Sequence, residues 1–179
     1  DVDFTARGAS SVQFFDNFLT FTEPNSGRWF SSDLTDATAF DSLNFATAEG
    51  APDNLLTHVV DHRQAFLLGT ESCELWDNAG IAGFPFIRAS NGFVEIGCLN
   101  GDTAVKVDQS IFWLASDGTV RRLQGVTPVR VSTHAVERAI RSYTVSGAYG
   151  LSLTWDGHLW YVLTFPEGTW VYDITTQKW

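Results

Sequence analysis

Methionine is absent from the 179 residues, and cysteine occurs only twice. Two cysteines cannot staple a disulfide scaffold. Cys73 and Cys98 read either as two buried free thiols or as one bridge. No apolar run approaches the ~18 residues that a membrane-crossing helix requires. Cations are scarce: 11 Lys and Arg stand against 21 Asp and Glu, for a net charge of −10. Such a chain repels phosphate backbones, which argues against a grip on nucleic acid. A phosphate-binding glycine loop is also missing, since Gly80, Gly83, Gly92, Gly97 and Gly101 stand in turn contexts.

What the chain has instead is rings and a repeat. Aromatics make up 14% of it, with seven Trp, so rings must carry much of the packing. Four times an aspartate is followed five residues later by an aromatic: Asp16 and Phe21, Asp61 and Phe66, Asp108 and Trp113, Asp156 and Tyr161. These aspartates lie 45, 47 and 48 residues apart. A period of roughly 40–50 residues built from strands points to propeller blades or a similar array. In the third unit, runs 104–107, 111–115 and 119–123 are separated by Asp108-Gln109-Ser110 and Ser116-Asp117-Gly118. That reads as strand, turn, strand, turn, strand. Equivalent strands are expected at 12–15, 18–22 and 28–31, at 57–60, 65–68 and 73–76, and at 151–155, 159–165 and 169–173. Stretches 84–88, 93–98 and 128–131 are candidates for fourth strands.

The fold expected is therefore all-β: a β-propeller-like array of about four antiparallel meander units, with one short inserted helix. Residues 132–143 supply the helix. Val136, Ala139, Ile140 and Tyr143 recur at helical spacing, Ser132 or Thr133 can cap the start, and Arg138 and Arg141 fall on the outer face. A second helical turn is expected over 36–43. The missing methionine and a pattern that stops mid-unit at Trp179 lead us to expect residues 1–179 to be a single propeller-like domain from a longer chain.

Candidate chemistry is thin. His58 and His62 flank Asp61 in a pattern like that of zinc peptidases, but those histidines must share a helix face and here the repeat assigns a strand and a turn. The repeat aspartates could serve as paired acid and base. A structural job is nearer to hand, because a turn carboxylate accepts N–H groups of its own turn. Ser132 and His134 lack a nucleophile-elbow sequence. Trp76, Trp155, Trp160 and Trp170 are candidates for stacking on sugars, or for packing between sheets. Charge is uneven: residues 1–87 hold 3 cations and 13 acids, or −10, and residues 88–141 hold 7 and 5, or +2. Arg121, Arg122, Arg130, Arg138 and Arg141 in that middle third read as solvated or salt-bridged side chains, or as a docking surface for an acidic protein.

Several segments together resemble a known family. They are Phe40-Asp41-Ser42-Leu43-Asn44-Phe45, Glu74-Leu75-Trp76 with Asn78-Ala79-Gly80, Phe84-Pro85-Phe86-Ile87-Arg88, Val131-Ser132-Thr133-His134-Ala135-Val136-Glu137, and Tyr161-Val162-Leu163-Thr164-Phe165-Pro166 with Thr169-Trp170-Val171-Tyr172-Asp173. Their order is similar to that of the packaged-DNA stabilisation, or tail accessory (hub), proteins of P22-like short-tailed phages. The resemblance implies a non-enzymatic virion structural protein of the phage tail, assembled in the host cytoplasm. It would close the portal vertex and retain packaged DNA through contacts with the portal-proximal tail adaptor, the tail needle and further copies of itself. It implies no cofactor, no catalytic or metal residue, no membrane and no specific nucleic acid. Arg121, Arg122, Arg138 and Arg141 are the residues we assign to protein contact. The alternative is a carbohydrate-binding or glycoside-processing propeller.

Overall fold

The structure is a computed structural model that describes residues 7–48 and 50–179. It contains fifteen strands in four antiparallel sheets. Sheet 1 is β1 (Ser11–Phe15), β2 (Phe18–Thr22), β3 (Arg28–Ser31) and β4 (Phe45–Thr47). Sheet 2 is β5 (Leu55–Asp61), β6 (Gln64–Gly69), β7 (Cys73–Asn78) and β8 (Phe86–Val94). Sheet 3 is β9 (Val105–Val107), β10 (Ser110–Leu114), β11 (Val120–Gln124) and β12 (Thr127–Arg130). Helix α1 (His134–Ile140) leads to the three-stranded sheet 4, β13 (Tyr149–Trp155), β14 (His158–Phe165) and β15 (Gly168–Asp173). Strands lie in chain order within each sheet, so each sheet is a plain meander. Three of the four sheets gain a fourth strand. Of the candidates for it, 84–88 and the start of 93–98 merge into one strand, β8, and 128–131 gives β12. The short β4 has no counterpart among the sequence expectations.

The sheets pack face to face in chain order, and each seam has its own core. Phe15 and Trp29 meet Ala65, Leu67 and Trp76 between sheets 1 and 2. Phe66, Leu68 and Leu75 meet Ile111 and Trp113 between sheets 2 and 3. Phe112, Leu114 and Val120 meet Tyr161, Leu163 and Phe165 between sheets 3 and 4. Rings dominate the first seam: Trp29 has Trp76, Phe84 and Phe86 at centroid distances of 5.4, 5.0 and 5.1 Å. Each such pair adds ~0.5–1.5 kcal/mol beyond the area it buries.

The repeat is real, but one of its four copies is displaced by a residue. The turns between first and second strands have two successive residues with positive φ: Asp16-Asn17, His62-Arg63, Asp108-Gln109 and Asp156-Gly157. This is the type I′ geometry that matches the twist of a two-residue hairpin. The turns open at 16, 62, 108 and 156, which is 46, 46 and 48 residues apart. His62, not Asp61, is therefore the equivalent residue in sheet 2. Five residues on, Leu67, Trp113 and Tyr161 all face the preceding sheet, whereas Phe66 faces the following one. A one-residue slip in a strand exchanges its faces. Non-glycine residues pay ~1–2 kcal/mol in this backbone region. Gln109 has φ 51°, and no side-chain hydrogen bond of it occurs among the described residues, so Gln109→Gly should raise stability by about 0.5–1 kcal/mol in a thermal melt.

The helix expected over 36–43 does not form. Asp36 Oδ1 accepts from the backbone N–H of Thr38 (2.9 Å), and Asp41 Oδ1 from that of Leu43 (2.9 Å). Short polar side chains that bond the backbone two residues on favour turns over helix. The segment instead forms the connection between β3 and β4, with Phe40 set against Phe21 and Phe30.

Candidate interaction surface

The carboxylates of the repeat aspartates Asp16, Asp61 and Asp108 reach beyond their own turns. Asp16 Oδ2 accepts from Arg63 Nε (3.2 Å) and Asn78 Nδ2 (3.1 Å) of sheet 2. Asp61 Oδ1 lies 2.6 Å from Lys106 Nζ of sheet 3, and Asp108 Oδ2 accepts from Arg122 (2.7 Å). Burial pushes the Asp61 carboxyl up, but hydrogen bonds from Lys106 and His62 outweigh it and hold it below the usual range. Two of these pairs bridge neighbouring sheets at the turn end. They are partly exposed, so each is worth at most ~1 kcal/mol.

The histidine pair does not form a metal site. His58 is fully buried on β5, facing sheet 1, while His62 points to solvent and pairs with Asp61 at 2.8 Å. Both ring nitrogens of His58 are engaged across the seam. The Thr20 hydroxyl donates to the Gln13 carbonyl (3.2 Å), so His58 Nε2 carries the hydrogen and donates to Thr20 Oγ1 (2.8 Å). Nδ1 then accepts from Ser11 Oγ (2.7 Å), and Ser11 Oγ accepts from Thr22 Oγ1 (2.6 Å). Burial pulls the imidazole pKa down to about 3. Among the described residues, no group of three or more His, Cys, Asp or Glu is gathered to hold a metal, and no helix is long and apolar enough to cross a membrane.

Ser132 and His134 are not partnered either. Ser132 Oγ donates to Glu137 Oε1 (2.6 Å), and His134 leans on Arg130. Both cysteines are buried free thiols. Of the candidate stacking rings, Trp76 is buried and donates to Glu74 Oε2 (2.8 Å), and Trp170 packs beside Trp179. Trp155 and Trp160 lie on the outward face of sheet 4 with Tyr149, Leu151 and Leu153, a flat apolar face rather than a cleft.

Sequence reasoning missed Glu74, a carboxylate buried on β7. It is satisfied by the Gly50 N–H (2.7 Å), Trp76 Nε1 and Arg88 (3.3 Å). Its only trace in the sequence is a charge inside an apolar strand run.

The four arginines assigned to protein contact separate into two pairs. Arg121 bonds Asp117 (2.7 Å), Thr119 Oγ1 (3.1 Å) and the Pro128 carbonyl (3.3 Å), and only 16% of its side chain is exposed. Arg122 bonds Asp108 across the face of Phe112 and is 22% exposed. Both are consumed within sheet 3. Arg138 and Arg141 lie exposed on α1, and no partner for either occurs among the described residues. The helix beneath them is firmly held. Thr133 caps its start, and Val136 and Ile140 insert into the seam of sheets 3 and 4. The buried Glu137 receives Arg130 Nε (2.7 Å) and Arg130 NH2 (2.5 Å) together with Ser132. Burial raises the Glu137 pKa, and the Ser132 and Arg130 bonds more than reverse it, leaving it below the usual range.

A four-sheet meander stack with a 46-residue period invites comparison with known propellers. The sequence pattern of one family, described as "Bacteriophage P22 Gp10, beta-propeller", matches residues 4–179. The chain belongs to this family. It is a family of phage structural proteins that stabilise packaged DNA, and it agrees with the β-propeller array seen in the four sheets. No curated protein matches the chain. Among solved structures, BamB from Moraxella catarrhalis is similar at 13% identity and a TM-score of 0.58, over 94% of this chain and 47% of that one. The computationally designed Ika8 protein is similar at 12% identity and 0.53, over 95% of this chain and 47% of that one. The chain thus spans about half the length of the solved structures it resembles, and at these identities the likeness speaks for the fold alone.

Proposed function

We propose that this family member is a non-enzymatic component of the phage tail. It closes the portal vertex and retains packaged DNA by contacts with the portal-proximal adaptor, the tail needle and further copies of itself. The observation that carries this reading is the family match over residues 4–179. The side chains support it. Groups suited to chemistry, namely the Asp16, Asp61 and Asp108 carboxylates, His58 and Ser132, are bonded into the scaffold. A net charge of −10 sets the chain against DNA, so retention follows from subunits blocking a channel rather than from holding the polymer.

Cosedimentation of the protein with a portal–adaptor assembly tests this. Binding that survives moderate salt is the expected result, with no shift of duplex DNA by the protein alone. Failure to cosediment, or a tight salt-sensitive DNA shift, would remove the proposal.

A further inference from the structure

Asparagine is followed by glycine twice in the chain, at Asn91-Gly92 and Asn100-Gly101. The pair is chemically labile, because a glycine has no side chain to obstruct the attack of its nitrogen on the asparagine amide. The fold treats the two copies in opposite ways.

Asn91-Gly92 lies in a bulge of β8. The register between β7 and β8 passes from Arg88, opposite Trp76, to Phe93, opposite Glu74, so residues 89–92 bulge out at Leu75 with no register partners of their own. Asn91 takes φ 60° in this bulge, a region that asparagine enters more readily than most residues. Gly92 is so closely packed that a Cβ would fall 2.8 Å from the Leu75 carbonyl oxygen and 3.0 Å from that of Ala89. The bulge therefore favours asparagine at 91 and demands glycine at 92, and the labile dipeptide comes with its geometry. Asn91 is exposed on a shallow cleft that it shares with Gly50, Arg88, Ser90 and Phe93. Among the described residues, no hydrogen bond holds its side-chain amide.

Asn100 is locked. Its Nδ2 donates to the carbonyls of Val145 (2.8 Å) and Ala148 (3.0 Å), and its Oδ1 accepts from the Asp102 N–H (2.9 Å). These bonds tie the turn before β9 to the turn before β13. Attack by the Gly101 nitrogen would require all three to be released, so it must await a local opening of the fold.

We infer that Asn91 is a site of spontaneous deamidation in the folded protein and that Asn100 is protected from it. The Gly92 nitrogen, after losing its proton to hydroxide, attacks Asn91 Cγ. The Cγ–Nδ2 bond breaks, and the nitrogen leaves as ammonia with a proton from water. The five-membered imide then adds water at either carbonyl and opens to aspartate or isoaspartate. The reaction consumes only water and needs no oxidant or cofactor. Its product places a carboxylate in a cleft whose one cation among the described lining residues is Arg88, the partner of the buried Glu74 (3.3 Å). A charge gained there acts through local electrostatics, by competing with Glu74 for the guanidinium.

Ageing the wild-type chain in mildly alkaline buffer at physiological temperature tests this. Anion exchange should resolve a more acidic species that accumulates with time. Peptide mass spectrometry should place a gain of one dalton on the peptide carrying residue 91, and isoaspartyl methyltransferase should label that peptide. The peptide carrying residue 100 should react at least about tenfold more slowly. In urea both dipeptides should react at similar rates, which separates the effect of the fold from that of the sequence. Asn91→Gln, whose longer side chain cannot close the five-membered ring, should remove the acidic species while the protein stays folded. Retention of the Asn91 amide in the folded chain, under conditions where the urea-treated chain loses it, overturns the inference. So does equal reaction at 91 and 100 in the folded chain, or an acidic species that persists in Asn91→Gln.

Discussion

Replacing His58 with alanine is expected to cost about 3–4 kcal/mol of stability, among the largest effects of any single change in this chain. The imidazole fills the seam between sheets 1 and 2, and its nitrogens are bonded to the half-buried Ser11 hydroxyl and the fully buried Thr20 hydroxyl. Removing it opens a cavity and leaves Ser11 and Thr20 each short of a partner. The pH dependence is equally definite. Burial holds the folded-state pKa at about 3, below the ordinary 6.5. Between those values the unfolded chain binds a proton that the folded chain refuses. Stability from this residue is therefore complete above pH ~6.5 and falls by about 1.4 kcal/mol per pH unit as acid is added, down to the folded pKa. Paired carboxylates such as Asp61 and Glu137, whose folded pKa values are lowered, lose their contribution only below the ordinary carboxylate range. The interval from pH 6.5 to about 4.5 thus belongs largely to His58. Denaturant titrations across it should show a slope in the wild type and a flat line in His58→Gln, which has donor and acceptor but no charge to gain. An unchanged slope in that variant would assign the acid sensitivity elsewhere.

Sequence and structure agree where the signal is local. The strands at 18–22, 28–31 and 169–173 were legible because apolar and β-branched runs alternate with residues that tolerate positive φ. The helix at 134–140 was legible because its apolar spacing changes from two to three and four. The displaced copy in sheet 2 was not. Asp61 and Phe66 reproduce the letters of the motif, but the turn opens at His62, and only strand pairing reveals which residue sits at the hairpin tip. The turn over 36–43 was misread because spacing alone cannot show that Asp36 and Asp41 prefer their own backbone to a helix. The charge pairing was half legible. Four arginines stand out in an acidic chain, but whether a cation is spent depends on a carboxylate distant in sequence, as Arg122 on Asp108 shows. Only the fold separates Arg121 and Arg122 from Arg138 and Arg141.

Trp113→Ala should match or exceed the His58 effect, at about 3–5 kcal/mol. The ring is completely buried between sheets 2 and 3, lies 5.3 Å from Phe66, and donates its indole N–H to the Gly97 carbonyl (3.2 Å). Truncation leaves a cavity and takes one of two donors from the Gly97 carbonyl, which keeps the Ser116 N–H (3.0 Å). Trp155 provides the internal contrast. It belongs to the outward face of sheet 4 and is 67% exposed, so Trp155→Ala should change stability by no more than about 0.5 kcal/mol. Parallel urea melts of the two variants compare a ring at a seam with a ring at an open face. Similar losses in both would mean that the outward face of sheet 4 is packed in solution, whereas a wide gap places the energetic weight of the array in its three internal seams.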